Sequence, residues 1–290
     1  MATAERITFA EFQKRFKTED ACREYLYHQR FPKGFVCPKC GGMEYYPIYR
    51  RNLCQCKQCR KQTSVTAGTV MHRTHLSLVI WFWAIYLCVN DKRGISASQL
   101  SKMLCIGYES AWYLLKRIRA AMGQRDAKYL LSGLLEMDEG YWGSRKSGKR
   151  GRGTSQKKIV VALSKTGENE APMFLRMQEV PDVQRRTLQK FVDAHIQNGA
   201  TIECDGFKSY MGLKNVAVDT KVYDCAAGDL KWLHKALSNL KAFLTGTYHG
   251  RCVNLQSYLD EYCFRFNRRH STDQLFARLA RAVAVSGVAD

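Results

Sequence analysis

Two aspartates in this chain close apolar stretches in the same way. In Leu134-Leu135-Glu136-Met137-Asp138-Glu139-Gly140-Tyr141-Trp142, with apolar Leu131 just upstream, Asp138 stands where the apolar run gives way to Glu139 and Gly140. In Gly199-Ala200-Thr201-Ile202-Glu203-Cys204-Asp205-Gly206-Phe207, Asp205 again ends a strand-like run and is followed by glycine. A carboxylate at the rim of a buried strand is costly unless something uses it. The use read here is a divalent-metal site acting on nucleic acid, with Asp138 as its first ligand. The plainer reading of each position is a solvated strand end.

A second set of ligating residues lies upstream. Cys37-Pro38-Lys39-Cys40 is followed, after fifteen residues, by Cys56-Lys57-Gln58-Cys59. Two such pairs supply four thiolates for a tetrahedral structural zinc site. Gly41 and Gly42 suit the tight turn, and residues 45–52 suit a hairpin between the two knuckles. Redox chemistry would need only one pair and a βαβ setting that is missing. Cys54 is an additional thiol that could replace Cys56 only by lengthening the second knuckle. The zinc is expected to stabilise the fold and do no chemistry. Arg50, Arg51, Lys57, Arg60 and Lys61 beside it form either a DNA-contacting or a simply solvated basic face.

Composition bounds the partners. The 290 residues carry 46 Lys and Arg against 26 Asp and Glu, a net charge of +20. Such an excess points to a polyanion, nucleic acid before acidic lipid. The longest apolar run, Leu76 to Val89, is too short for a bilayer span, and the N-terminus lacks a basic-then-apolar export signal. A cytoplasmic, DNA-associated protein with no membrane partner is expected. Its twelve cysteines are then ligands or buried hydrophobes rather than disulfides.

Positioning elements follow from periodicity. Residues 7–30 have Phe9, Phe12, Phe16, Cys22, Tyr25 and Leu26 at helical spacing, with a helix start at Thr18-Glu19-Asp20. Residues 75–90 form a helix apolar nearly all round and therefore central. Two further helices, 96–104 and 110–122, flank the turn at Cys105-Ile106-Gly107. The second bears Lys116, Arg117 and Arg119, a helix-turn-helix pattern that plain helical bundles also produce. Residues 123–128 read as a linker. Beyond it the pattern changes to strands at 158–164 and 173–177, a helix at 183–196, and the strand ending at Asp205. A helix between two strands makes them neighbours in a parallel pair, and both carboxylates then emerge on one sheet edge. The basic stretch 144–158 reads as a cationic hairpin tip for phosphates or as a disordered loop. In the helix 229–245, His234 and Lys241 stand two turns apart on one face, beside the apolar stripe and together with Ser238, whereas Asn239 points away. An aromatic and arginine-rich helix follows at 256–269.

These stretches, in this order, resemble the zinc-ribbon DDE transposases of bacterial insertion sequences, the ISXO-type family. The resemblance is carried by the two cysteine pairs, Thr66-Ala67-Gly68-Thr69-Val70, Met137-Asp138-Glu139-Gly140-Tyr141, Asp205-Gly206-Phe207 and the helix from His234 to Lys241. It continues in Gly246-Thr247-Tyr248-His249-Gly250 and in Tyr258 to Arg269. It implies an α/β protein organised as a helical lead-in (1–30), a zinc ribbon (31–70), a helix-turn-helix-like DNA-binding region (71–128) and a ribonuclease-H-like catalytic domain with a mixed sheet (129–290). It also implies cleavage and strand transfer at transposon ends, dependent on Mg²⁺ or Mn²⁺ at Asp138, Asp205 and a third ligand. Double-stranded DNA, as ends and target, would be the partner, and a homodimer or higher multimer the working form. Where most such enzymes have glutamate seven residues before a basic residue, this chain has His234 before Lys241. His234 is the favoured third ligand, with Asn239 and the more distant Glu261 as alternatives. Imidazole is the softer donor, so Mn²⁺ should serve at least as well as Mg²⁺. Lys241 would hold a phosphate. A catalytically inactive DNA-binding regulator and a structure-selective nuclease of the same fold are the competing readings.

Overall fold

The computed structural model describes residues 7–143, 156–166, 170–221, 230–250 and 252–287. Most of the basic stretch 144–158 and the tip of the turn 165–169 lie outside these. The chain divides into two compact units, 1–125 with 271–290, and 126–270.

In the first unit the expected helical lead-in is two helices, α1 (Phe9–Arg15) and α2 (Glu19–Arg30). Each starts at a threonine. Thr8 forms a reciprocal capping box with Glu11, and the Thr18 hydroxyl accepts from the amide of Ala21. A three-stranded antiparallel sheet follows, β1 (Tyr45–Ile48), β2 (Leu53–Cys56) and β3 (Gln62–Thr63), in that order. Then come α3 (Leu78–Asn90), α4 (Ala97–Leu104) and α5 (Tyr108–Asp126). Helix α3 is apolar nearly all round because it is central, burying Leu78, Trp81, Phe82, Ala84, Ile85, Tyr86 and Cys88. The stretch 123–128, expected as a linker, is helical to Asp126. That carboxylate is buried and takes Arg268 at 2.6 Å and the Asn267 amide at 2.9 Å.

The second unit is built on a five-stranded mixed sheet of β4 (Leu134–Trp142), β5 (Lys157–Lys165), β6 (Pro172–Val180), β7 (Thr201–Asp205) and β8 (Ala217–Lys221). Its order is β6-β5-β4-β7-β8. The first three strands form an antiparallel meander, and β7 and β8 add in parallel. This is the ribonuclease-H-like arrangement. Helix α6 (Arg185–His195) supplies the crossover between β6 and β7, and its Leu188, Phe191 and Val192 pack on Leu135, Met137, Val160, Ala162 and Ile202. Helices α7 (Lys231–Tyr248) and α8 (Leu255–Phe266) cover the opposite face, over Ile159, Val161 and Leu163. Alternation along a strand thus divides β5 between two cores.

The last helix, α9 (Leu275–Val285), belongs to the first unit, so the second compact unit closes at His270. An amphipathic segment reads the same whichever core it joins. Among the described residues no helix is long and apolar enough to cross a membrane.

Candidate metal centres

The cysteine site is assembled by two turns. The first knuckle closes with Gly41 N–H donating to Cys37 O and Cys37 N–H to Gly42 O, both at 2.9 Å. A Cβ on Gly42 would stand 2.6 Å from Gln58 Oε1 and 3.3 Å from Cys56 Sγ, so glycine is what lets the knuckles meet. The second knuckle follows β2, where Arg60 N–H donates to Cys56 O. The sulfurs of Cys37, Cys40, Cys56 and Cys59 all lie within 4.8 Å of one another, and the pairs Cys37–Cys59 and Cys40–Cys56 are 3.5 Å apart. Zinc–sulfur bonds of about 2.3 Å set tetrahedral edges of roughly 3.8 Å, so the four thiols fit zinc. At Cys37 burial opposes ionisation, but the amides of Cys40 and Lys39 and the thiols of Cys59 and Cys40 outweigh it and lower its pKa, whereas at Cys40 the crowding of Cys59, Cys56 and Cys37 outweighs the Gly42 amide and raises it. Cys54 is outside the cluster. It lies on the hairpin against Phe35 and Tyr45, as a ribbon residue. The five basic residues around the ribbon are all exposed.

The two aspartates stand on neighbouring parallel strands, Asp205 at the end of β7 but Asp138 in mid-strand, because β4, expected to end there, stays paired with β5 through Trp142. The register runs Leu134 to Thr201, Leu135 to Ile202 and Glu136 to Glu203. The pairing ends there, and Asp138 and Asp205 each lie two residues beyond it on their own strands. Both point to the face covered by α7, because Met137 and Cys204 between them belong to the α6 core. Asp138 Oδ1 accepts from the Glu139 amide at 2.7 Å, and Asp205 Oδ1 from the Phe207 amide at 3.1 Å. Cys204 senses both: burial first, then the charges of Asp205 and Asp138, push its thiol up to about 12.

Helix α7 crosses this face closely. A Cβ on Gly140 would come within 2.9 Å of Leu237 Cδ2, so the glycine after Asp138 admits the helix. Leu233, Ala236, Leu237, Leu240 and Leu244 are its buried stripe. His234 is half-buried at the edge of that stripe, and Lys241 is exposed, as are Ser238 and Asn239. Burial and then the positive charge of Lys241 lower the His234 pKa, favouring the neutral imidazole that a metal requires. Glu261 is committed elsewhere: buried on α8, it takes the Tyr248 hydroxyl at 3.1 Å and Arg265 at 2.7 Å. Among the described residues, the cysteines are the set of metal-ligating side chains drawn within 4.8 Å of one another; Asp138, Asp205 and His234 share a face without that closeness. Two cations about 4 Å apart spread their ligands more widely than one ion does.

Charged residues that attracted no attention in the sequence surround this pair. Two positions before the aspartates, the register partners Glu136 and Glu203 meet Lys165 of β5. Its Nζ is 2.5 Å from Glu203 and 3.6 Å from Glu136, and its side chain is only 3% exposed. Burial works to discharge Lys165, but Glu203 and Glu136 outweigh it and raise its pKa; burial raises that of Glu136. On the other face of β4, the fully buried Tyr210 hydroxyl meets Glu139. For the two glutamates alone a signal was available, since Glu136 and Glu203 precede Asp138 and Asp205 by one strand period; Lys165, Glu139 and Tyr210 carried none.

The basic surface expected on α5 is different in detail. Helices α4 and α5 do flank a short turn, with Cys105 left-handed at φ 51°. Arg119, however, is buried, and Arg117 is spent on the carbonyls of Val70, at 2.5 Å, and His72, at 3.2 Å. Of the three, Lys116 is exposed, beside exposed Tyr108, Trp112 and Tyr113. Helical spacing alone did not distinguish a guanidinium facing solvent from one turned back on a loop.

A ribonuclease-H-like mixed sheet and a four-cysteine ribbon are the two parts that the resemblance to DDE-type transposases implies. Residues 130–267 match the ISXO2-like transposase domain family, and residues 17–62 match the transposase zinc-ribbon domain family. Over these two stretches the chain is similar to the zinc-ribbon transposases. It is also 26% identical, over 230 residues covering 72% of this chain and 75% of the other, to a protein in the transposable element ISH50 of Halobacterium salinarum.

Proposed function

We propose that the protein is an insertion-sequence transposase that binds transposon-end DNA and catalyses divalent-metal-dependent strand cleavage and strand transfer. The single observation that supports this reading is the parallel β4–β7 pairing, since Asp138 and Asp205 each follow its last pair by two residues and alternate toward the sheet face away from α6. Asp138, Asp205 and His234 would hold Mg²⁺ or Mn²⁺. When bound, such ions supply activation of the attacking oxygen and stabilisation of the leaving oxygen. Lys241, exposed two turns beyond His234, would hold a neighbouring phosphate. The zinc ribbon and the helix-turn-helix-like region would grip duplex DNA, and a homodimer would bring two ends together in the bacterial cytoplasm.

The test uses duplexes carrying the inverted repeats that flank the gene, one set with a free 3′-hydroxyl. Asp138→Asn and Asp205→Asn should each lower cleavage by about 10²–10³-fold, the scale of losing one electrostatic stabiliser, while DNA affinity stays. His234→Ala should do the same, and Mn²⁺ should support at least the Mg²⁺ rate. Aspartate variants that still cut would refute the assignment. Cutting without joining would identify a nuclease, and binding without cutting a regulator.

A further inference from the structure

Among the described residues helix α7 has no side-chain cap of its own at its N-terminus. Its N-cap residue is Leu230, left-handed at φ 48°, whose side chain has no atom to offer a first-turn amide. The first amides of a helix lack partners within it, and a polar N-cap side chain ordinarily serves the third. Here that acceptor comes from another element. Glu136 Oε2 of β4 accepts from the amide of Leu233, the third residue of α7, at 2.8 Å. Glu136 Oε1 faces Lys165 Nζ at 3.6 Å, and that ammonium also meets Glu203. One buried unit therefore joins β4, β5 and β7 to the start of α7. Asp138 and Asp205 stand two residues beyond its two glutamates, and His234 one residue beyond Leu233.

We infer that Glu136 is a positioning residue for the metal site: through the Leu233 amide it fixes the first turn of α7, and so His234, against Asp138 and Asp205. Three ligands on three elements hold a cation well only if the elements keep their spacing. Strand pairing fixes β4 against β7, while the start of α7 has this remote carboxylate in place of a local cap. The inference rests on the metal-site reading proposed above.

Binding of Mn²⁺ alone to the zinc-loaded full chain, without DNA, tests it through the electron paramagnetic resonance signal of free Mn²⁺. Glu136→Met keeps the volume, leaves Lys165 paired with Glu203 and removes the acceptor. It should weaken Mn²⁺ binding about tenfold or more, as loss of a residue that orients a metal ligand does. Glu136→Gln, which keeps an acceptor oxygen, should restore most of it. A purely structural role would lower the melting temperature equally in both and leave the affinity of the folded protein unchanged. A second arm needs no variant: in the wild-type chain the Leu233 amide should exchange with solvent far more slowly than that of Trp232, and equal rates overturn the tether. Mn²⁺ binding indifferent to Asp138→Asn and His234→Ala removes the metal-site reading and the inference with it. Binding sensitive to those two but indifferent to Glu136→Met removes the tether alone.

Discussion

The hydroxyl of Tyr210 donates to Glu139 Oε2 at 3.0 Å, on the side of β4 opposite Asp138. Consecutive carboxylates of one strand thus serve different ends, Glu139 turned into the α6 core and Asp138 toward α7. Burial, followed by the charges of Glu139 and Asp138, holds the phenol's pKa well above its ordinary value, so Tyr210 remains a donor throughout the working range. Tyr210→Phe removes that donor from a buried carboxylate and should cost about 1–3 kcal/mol, read as a lower urea midpoint with unchanged slope.

The ribbon predicts a sharp difference between neighbouring thiols. Cys56→Ser should lose stoichiometric zinc, measured by elemental analysis, and expose residues 31–63 to protease. Cys54→Ser should keep one zinc per chain. Chelation of the wild-type protein should reproduce the Cys56→Ser behaviour, because metal binding and folding of such a module are coupled.

Two adjacent basic residues of α5 should separate cleanly. Arg117→Ala strips donors from the carbonyls of Val70 and His72 and should cost about 1.5–3 kcal/mol of stability. Lys116→Ala should leave the unfolding midpoint unchanged and, if this helix meets DNA, reduce the salt slope of binding by about 1.

Acid sensitivity should depend on His195 and Asp260 in opposite senses. Burial, then the nearby charge of Arg176, lowers the imidazole to about 4 from its ordinary 6.5. The unfolded chain therefore takes up a proton first as pH falls, and stability is lost between about pH 6.5 and pH 4. At ~1.4 kcal/mol per unit, discounted for partial exposure, this amounts to on the order of 1–2 kcal/mol. Burial pushes Asp260 up to about 6, so the stability its proton brings is present below pH 3.8 and lost as pH rises through 6. Thermal melts from pH 7 to pH 4 should flatten in His195→Gln and steepen in Asp260→Asn.

Much of this architecture was legible because it rests on local chemistry. The cysteine spacing predicted the ribbon, and two apolar runs predicted neighbouring strands, although β4 runs on past Asp138 to Trp142 because it stays paired with β5. The crossover helix implied their parallel pairing. Strand β8 escaped notice because Ala217–Lys221 lies at the sheet's edge with mostly exposed side chains. The Glu136–Lys165–Glu203 unit escaped because three charged residues on three strands look like solvent-facing positions until the register closes them. Arg117 and Arg119 looked like a DNA-facing pair because side-chain direction on a helix depends on what packs beside it.

Phe276 of α9 stacks among Phe12, Phe16, Tyr25, Phe82 and Tyr86. The aromatic centre of the first unit therefore waits for a ring made some two hundred residues after the others. On the ribosome the sheet-bearing unit, contiguous in sequence, can complete itself before the segment that precedes it does. This connectivity runs against the usual amino-terminal-first order of vectorial maturation.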